Sequence, residues 1–145
     1  MINIGAINAG NIIKGFKVEI KSAVAIVCKM HKGKFSYLLA LSNDEDDRNG
    51  KLCFLGGGVD EGESPLQAAI REAYEEGGVI CQPTQTSMIV HPTKPTVGFF
   101  LLHCHPDSKV TLNEEFDSHR WVSFDDEFPK NIMELNKEII QTIRR

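Results

Sequence analysis

Apolar and polar positions alternate, cluster or recur at helical spacing in separate stretches of the chain, and each pattern predicts an element. Residues 17–30 (KVEIKSAVAIVCKM) are rich in β-branched side chains and alternate at their start, which predicts a strand with a bend. Residues 31–34 make a turn, and 35–42 (FSYLLALS) form the next strand. The polar run 43–50 (NDEDDRNG) predicts an acidic surface loop. Placing Gly50 at the sixth position of a calcium-binding loop puts Gly56, not a glutamate, at the twelfth, so an EF-hand is excluded. Residues 51–55 read as a short strand leading into Gly56, Gly57 and Gly58, where consecutive glycines allow a sharp turn and close approach to a ligand.

Residues 64–77 carry a full set of helix signals. Ser64 caps the N-terminus, Pro65 takes the first helical position and Gln67 completes a capping box. Leu66, Ala69, Ile70 and Ala73 make one apolar stripe, and Gly77 and Gly78 end the helix, one of them left-handed. Strand-like runs follow at 79–90, 96–105 and 119–123, with a loop at 91–95 (HPTKP) fixed by two prolines. Helical spacing returns over 131–145 through Ile132, Leu135, Ile139, Ile140 and Ile143. Strands, a helix, more strands and a last helix predict an α/β fold, a mixed β-sheet flanked by helices, in a single domain over residues 1–145.

Composition narrows the function. At 145 residues, 41% hydrophobic and 25% charged, the chain can build a core without disulfide staples. A net charge of −4 argues against a non-specific nucleic-acid binder. An acidic protein acting on an anionic substrate needs cations between the two. Cys28, Cys53, Cys81 and Cys104 form no CxxC pair and sit in apolar runs, so reduced, buried thiols are expected. On a strand His103 and His105 point away from Cys104, which excludes a shared zinc site. No run approaches a membrane span, and residues 1–17 lack a charged leader with a cleavage site, so a cytoplasmic protein is expected.

The chemistry lies opposite the apolar stripe of 64–77. Glu72, Glu75 and Glu76 fall at i, i+3 and i+4 and share one patch of helix surface. Their mutual repulsion and their position near the helix C-terminus both oppose the arrangement, and a divalent cation would reverse both effects. Glu76 lies beside Ala69 at the margin of the stripe and is expected to be partly shielded from water. A plain acidic solvated face is the alternative. The glycines alone support neither Walker nor Rossmann chemistry, since no GKS/T or GxGxxG ending follows.

Taken together, residues 57–79 (GGVDEGESPLQAAIREAYEEGGV) resemble the Nudix box, G-x5-E-x7-R-E-U-x-E-E-x-G-U with U apolar. Gly57, Glu63, Arg71, Glu72, Glu75, Glu76 and Gly78 match, and Ala73 and Val79 fill the apolar positions. Leu55 stands where the family often has proline, a change expected to leave the chemistry intact. The resemblance implies a Nudix-type α/β/α sandwich. It also implies Mg²⁺, with Mn²⁺ as a substitute, held by Glu72, Glu75, Glu76 and the Gly56 carbonyl, and an Arg71–Glu63 ion pair that orients Glu72.

The general base varies within the family. Glu72 is one candidate and Glu115 the other, since 112–121 (LNEEFDSHRW) resembles an E-x5-W segment that follows the box in some members. Gly57, Lys94 and His119 are the candidates for substrate contact, with His91 and Phe99 behind them; each is equally compatible with ordinary surface or core. Pro95 lies near where ADP-ribose-cleaving members often carry proline. The implied reaction is Mg²⁺-dependent hydrolysis of a phosphoanhydride bond in a nucleoside diphosphate linked to another group: ADP-ribose, a dinucleoside polyphosphate or a nucleotide sugar. A Nudix-fold nucleotide-binding or sensor module without turnover is the alternative. The expected partner is a small nucleotide, with nucleic acid entering only as a capped RNA end, no membrane, and a homodimer compatible with the pattern.

Overall fold

The computed structural model describes residues 19–46, 48–84 and 88–144, together with the backbone of 5–7, 12–13 and 16–17. Its elements are β1 Gly5–Ile7, β2 Ile12–Ile13, β3 Phe16–Lys17, β4 Ser22–His31, β5 Lys34–Ser42, β6 Leu52–Cys53 and β7 Leu55–Gly58. They continue with α1 Pro65–Gly77, β8 Cys81–Pro83, β9 Met88–Val90, β10 Val97–Cys104, β11 Phe116–Ser123 and α2 Glu134–Ile143. The main sheet runs β1-β9-β10-β4-β5-β11, with β6 beside β5, β7 beside β4 and β8 beside β10. The β10–β4 pair is parallel, while β4 pairs antiparallel with both β5 and β7.

Strand alternation sorts the apolar residues into two cores. Ala23, Ala25 and Val27 of β4, Leu38 and Ala40 of β5, and Phe100, Leu102 and Cys104 of β10 join Ala68, Ala69 and Ala73 of α1. Ile26 and Cys28, Tyr37 and Leu39, and Phe99 face the other way and meet Ile139 and Ile140 of α2. The sheet is therefore covered on both faces, as an α/β/α sandwich requires.

β4 carries the feature that builds the site. Its C-terminal half, Cys28–His31, pairs with β5, and its N-terminal half, Ser22–Ala25, pairs with β7. Since β10 occupies the other edge over most of this length, β5 and β7 share one edge and diverge. The glycines expected to form a turn are thus extended strand, and none of Gly56, Gly57 and Gly58 has a positive φ. A Cβ on Gly56 would lie 2.7 Å from the Ala23 carbonyl oxygen. Close approach of two backbones, not turning, is what requires glycine there.

Other boundaries shift for local reasons. The run 79–90 divides into β8 and β9, and 17–30 into β3 and β4. The last helix starts at Glu134 instead of residue 131, because Ile132 is taken by a bridge to Leu52. β11 begins at Phe116, earlier than expected, paired with Ser42 and with an irregularity in register before Ser118. Leu55 pairs with Ala25 and is buried, and its side chain fills the space a Cβ on Gly77 would need.

Candidate active site

α1 starts as its sequence dictates. The Ser64 side chain accepts from the Gln67 N–H, and the Gln67 side chain accepts from the Ser64 N–H, closing the capping box. It ends at Gly78, whose φ of 68° is left-handed and whose N–H bonds Tyr74 O. Its buried face is rotated from the expected stripe: Ala68, Ala69, Ala73, Glu76 and Gly77 are buried, while Leu66 and Ile70 flank the core half-exposed. Small side chains let the helix approach the sheet closely, and the larger ones pack at its side.

That rotation takes Glu76 fully inside, at 6% exposure, where only shielding at the margin was expected. Its Oε1 accepts the Gly56 N–H at 2.7 Å. Burial pushes its carboxyl up to about 8, opposed by the Gly56 N–H and reinforced by the nearby Glu72 and Glu115. Glu115 is close enough to Glu76 for the two carboxyls to influence one another. Asn113 holds the approach: its N–H donates to Glu76 O at 2.9 Å and its Nδ2 donates to Glu115 Oε2 at 3.2 Å. Thr111 N–H bonds Gly77 O at 2.8 Å, so the segment before β11 is sewn to the end of α1.

Arg71 is the hub. Its Nε and Nη2 grip both oxygens of Glu63 at 2.8 and 3.0 Å, a bidentate pair. Nη1 reaches Glu72 Oε1 at 2.8 Å and Glu75 Oε2 at 3.2 Å, and Nη2 also donates to Gly58 O at 2.9 Å. The guanidinium holds the Glu63 carboxyl below its ordinary range, whereas burial raises Glu72 despite Arg71. The Glu72 carboxylate lies flat against Gly57: a Cβ there would meet its Cδ at 2.7 Å.

The structure therefore brings together Gly56, Gly57, Glu63, Arg71, Glu72, Glu75, Glu76 and Glu115. Among the described residues no hydrogen bond or ion pair joins Lys94 or His119 to this cluster. Lys94 lies exposed in the turn between β9 and β10. His119 is on β11 opposite Ala40; its imidazole is lowered by partial burial and then by Lys29 and His31, a separate basic group. His91 is buried, with Nε2 2.6 Å from Glu138 Oε2, and Phe99 is core. Both hold α2 to the sheet. Asn113 was missed, although an Asn bonding a backbone N–H two residues on, as it does to Glu115 at 3.0 Å, is a turn signal legible in sequence.

The donor set suits a hard divalent cation. Glu72, Glu76 and Glu115 are neighbours, Glu76 has one N–H donor to stabilise its charge, and oxygen ligands are what Mg²⁺ and Mn²⁺ prefer. Among the described residues the acidic side chains are not drawn into a ready-made cage, since Glu72 and Glu75 share Arg71 Nη1. Glu75 is 53% exposed, its carboxylate held at the rim of the cluster by Arg71.

Comparison with known proteins identifies the family and the fold. The family model described as NUDIX domain matches residues 19–143. An RNA pyrophosphohydrolase of Bartonella tribocorum is 40% identical over 62 residues, 41% of this chain and 36% of that protein. One of Actinobacillus succinogenes is 35% identical over 95 residues, 49% of this chain and 48% of that protein. The chain thus spans between a third and a half of the length of these relatives. Among solved structures, a C. elegans Ap4A hydrolase binary complex has a TM-score of 0.60 at 24% identity, covering 73% of this chain and 82% of that one. A Nudix hydrolase from M. smegmatis has a TM-score of 0.67 at 19% identity, covering 97% and 92%. Both share the fold.

Proposed function

The chain belongs to the NUDIX domain family, and on that premise we propose that it hydrolyses a phosphoanhydride bond in a nucleoside diphosphate linked to a second group, using Mg²⁺. The observation that carries this reading is the double constraint on Glu72, pressed against Gly57 and tied by Arg71 to Glu63 and Glu75, beside buried Glu76. A solvated acidic face needs none of these contacts.

Glu72, Glu75, Glu76 and the Gly56 carbonyl would hold the metal, which when bound neutralises the diphosphate, polarises phosphorus and activates water for in-line attack. Arg71 and Glu63 keep Glu72 in place without touching substrate. Glu115 is the base we assign. Glu72 already gives an oxygen to the Arg71 guanidinium that holds it in place, whereas the Glu115 carboxylate takes a hydrogen bond from the neutral amide of Asn113 and is not tied to that cation. The products are a nucleoside monophosphate and a phosphorylated second fragment.

The names of the RNA pyrophosphohydrolase relatives favour the 5′-triphosphorylated or capped end of an RNA over a dinucleoside polyphosphate, ADP-ribose or a nucleotide sugar. Retention of every box glutamate favours turnover over a sensor that only binds. The test is product analysis with Mg²⁺ on 5′-triphosphorylated and capped RNA, diadenosine polyphosphates, ADP-ribose and nucleotide sugars. Release of phosphate-bearing fragments from an RNA end supports the full reading. A rise in melting temperature with Mg²⁺ but no product from any substrate would overturn it in favour of the sensor.

A further inference from the structure

Four cysteines take no part in the chemistry above, and all four are free and buried. Two of them are placed face to face. In the β8–β10 ladder, Cys81 is the direct partner of Cys104, with Gln82 opposite His103 and Pro83 opposite Leu102. The Thr84 N–H donates to Leu101 O at 3.1 Å, which makes that pair hydrogen-bonded. Counting along the ladder, Gln82–His103 is the next hydrogen-bonded pair, and Pro83–Leu102 and Cys81–Cys104 are the non-hydrogen-bonded ones, as the missing proline N–H requires. Opposed residues of that kind have Cα atoms about 4.5 Å apart, within the roughly 4.4–6.8 Å that a disulfide spans. Both side chains point to the α1 face of the sheet and belong to one cluster.

We propose that Cys81 and Cys104 are a site of reversible oxidation, closing a disulfide across the β8–β10 ladder when the protein meets a peroxide. The surroundings assign the roles. Cys104 is flanked by the Ser108 hydroxyl and the Lys29 ammonium, both of which oppose the upward push of burial on its thiol. Nothing opposes it at Cys81, where burial and then Cys104 push the thiol up to about 12. Lys29 is fixed there by bonds from Nζ to the carbonyls of Pro106 and Ser108 at 3.1 and 3.4 Å. Burial still raises the Cys104 thiol, but only at Cys104 do neighbouring groups oppose that rise, so Cys104 is assigned as the thiol that meets the peroxide first.

It takes one peroxide oxygen to become the sulfenic acid, and the other oxygen leaves as hydroxide and is protonated to water. The Cys81 thiol then attacks the sulfenic sulfur, the S–O bond breaks, and a second water departs with the Cys81 proton. Two thiols lose two electrons to one peroxide. β8 is three residues long and its described ladder partner is β10, so the local opening that admits a small oxidant is confined to an edge. A Cα separation at the short limit of the disulfide range leaves the bond open to reduction by thiols. Cys28 cannot substitute. It pairs with His103 on the opposite face, packed against the α2 core and bonded to Ile26 O.

The test is non-reducing peptide mapping of the whole protein after graded hydrogen peroxide. The expected result is one cross-linked peptide joining 81 to 104, lighter by two hydrogens, restored by dithiothreitol, unchanged in C28S and C53S, and absent in C81S. The oxidised protein should also melt higher than the reduced one, because the cross-link closes a loop in the unfolded chain. A chain that stays fully reduced, cross-links involving Cys28 or Cys53, oxygen uptake at Cys81 or Cys104 without a cross-link, or a lower melting temperature on oxidation would each overturn the proposal. The mapping uses the wild-type chain and does not depend on any variant folding.

Discussion

Replacing Gly57 with alanine perturbs a single contact and so isolates what that contact does. The added methyl would sit 2.7 Å from Cδ and Oε1 of Glu72 and 2.8 Å from Oε2, with no backbone atom among its nearest neighbours. Carbon atoms settle no closer than about 3.5 Å, so the carboxylate must retreat by roughly 0.8 Å. A retreat of that size takes Oε1 out of hydrogen-bonding range of Arg71, now at 2.8 Å. Misplacing a reacting group by about 1 Å costs on the order of a hundredfold in rate, equivalent to about 2.7 kcal/mol of barrier. Gly57 has no positive φ, so alanine brings no backbone strain. The expected result is a loss of kcat/KM of about a hundredfold with the melting temperature within a few degrees of the parent. Steady-state kinetics on whichever nucleotide the protein turns over, with thermal melting alongside, reads both. Turnover within threefold of the parent would refute the claim that Glu72 is held in register by Gly57.

The neighbouring Gly56→Ala should do the reverse damage, since its Cβ meets the fixed Ala23 carbonyl at 2.7 Å; the melting temperature should fall sharply as β7 separates from β4. In metal-free protein, Glu76 is raised from 4.5 to about 8 on folding, so the folded state holds its proton more tightly and stability falls as pH rises through that window; Glu76→Gln should flatten the fall in denaturant titrations across it. Saturating Mg²⁺ should raise the melting temperature by about 5–10 °C through binding to the native state, and Glu76→Gln should remove most of that rise. Arg71→Lys should not rescue the activity lost in Arg71→Ala, because one ammonium cannot grip both oxygens of Glu63 while reaching Glu72 and Gly58; equal kcat in Lys and Arg forms would show that charge alone suffices.

The candidate site was unevenly legible. Ser64, Pro65, Gln67 and Gly78 announced α1 end to end, and the spacing of Glu72, Glu75 and Glu76 put them on one patch, because capping and helical repeat are settled within a few residues of chain. The Arg71–Glu63 pair followed from the family pattern. The glycines were read as a turn because composition cannot distinguish a bend from close packing of extended strands. Lys94 and His119 carried suitable chemistry, yet chemistry without position did not draw them to the glutamates.

By itself the sequence determined the alternation of strands and helices, the helix that presents the carboxylates, and the membership that its box implies. Tertiary structure decided the rest. The fork of β4 between β5 and β7 brings Gly56 to Glu76, and the segment sewn by Thr111 and Asn113 brings Glu115 to Glu76. The β8–β10 register sets Cys81 against Cys104. Each of these contacts joins residues far apart along the chain, and the fork and the β8–β10 pair do so through strand pairing. A one-residue slip in any such ladder would turn every side chain to the other face, and no local spacing records which register wins.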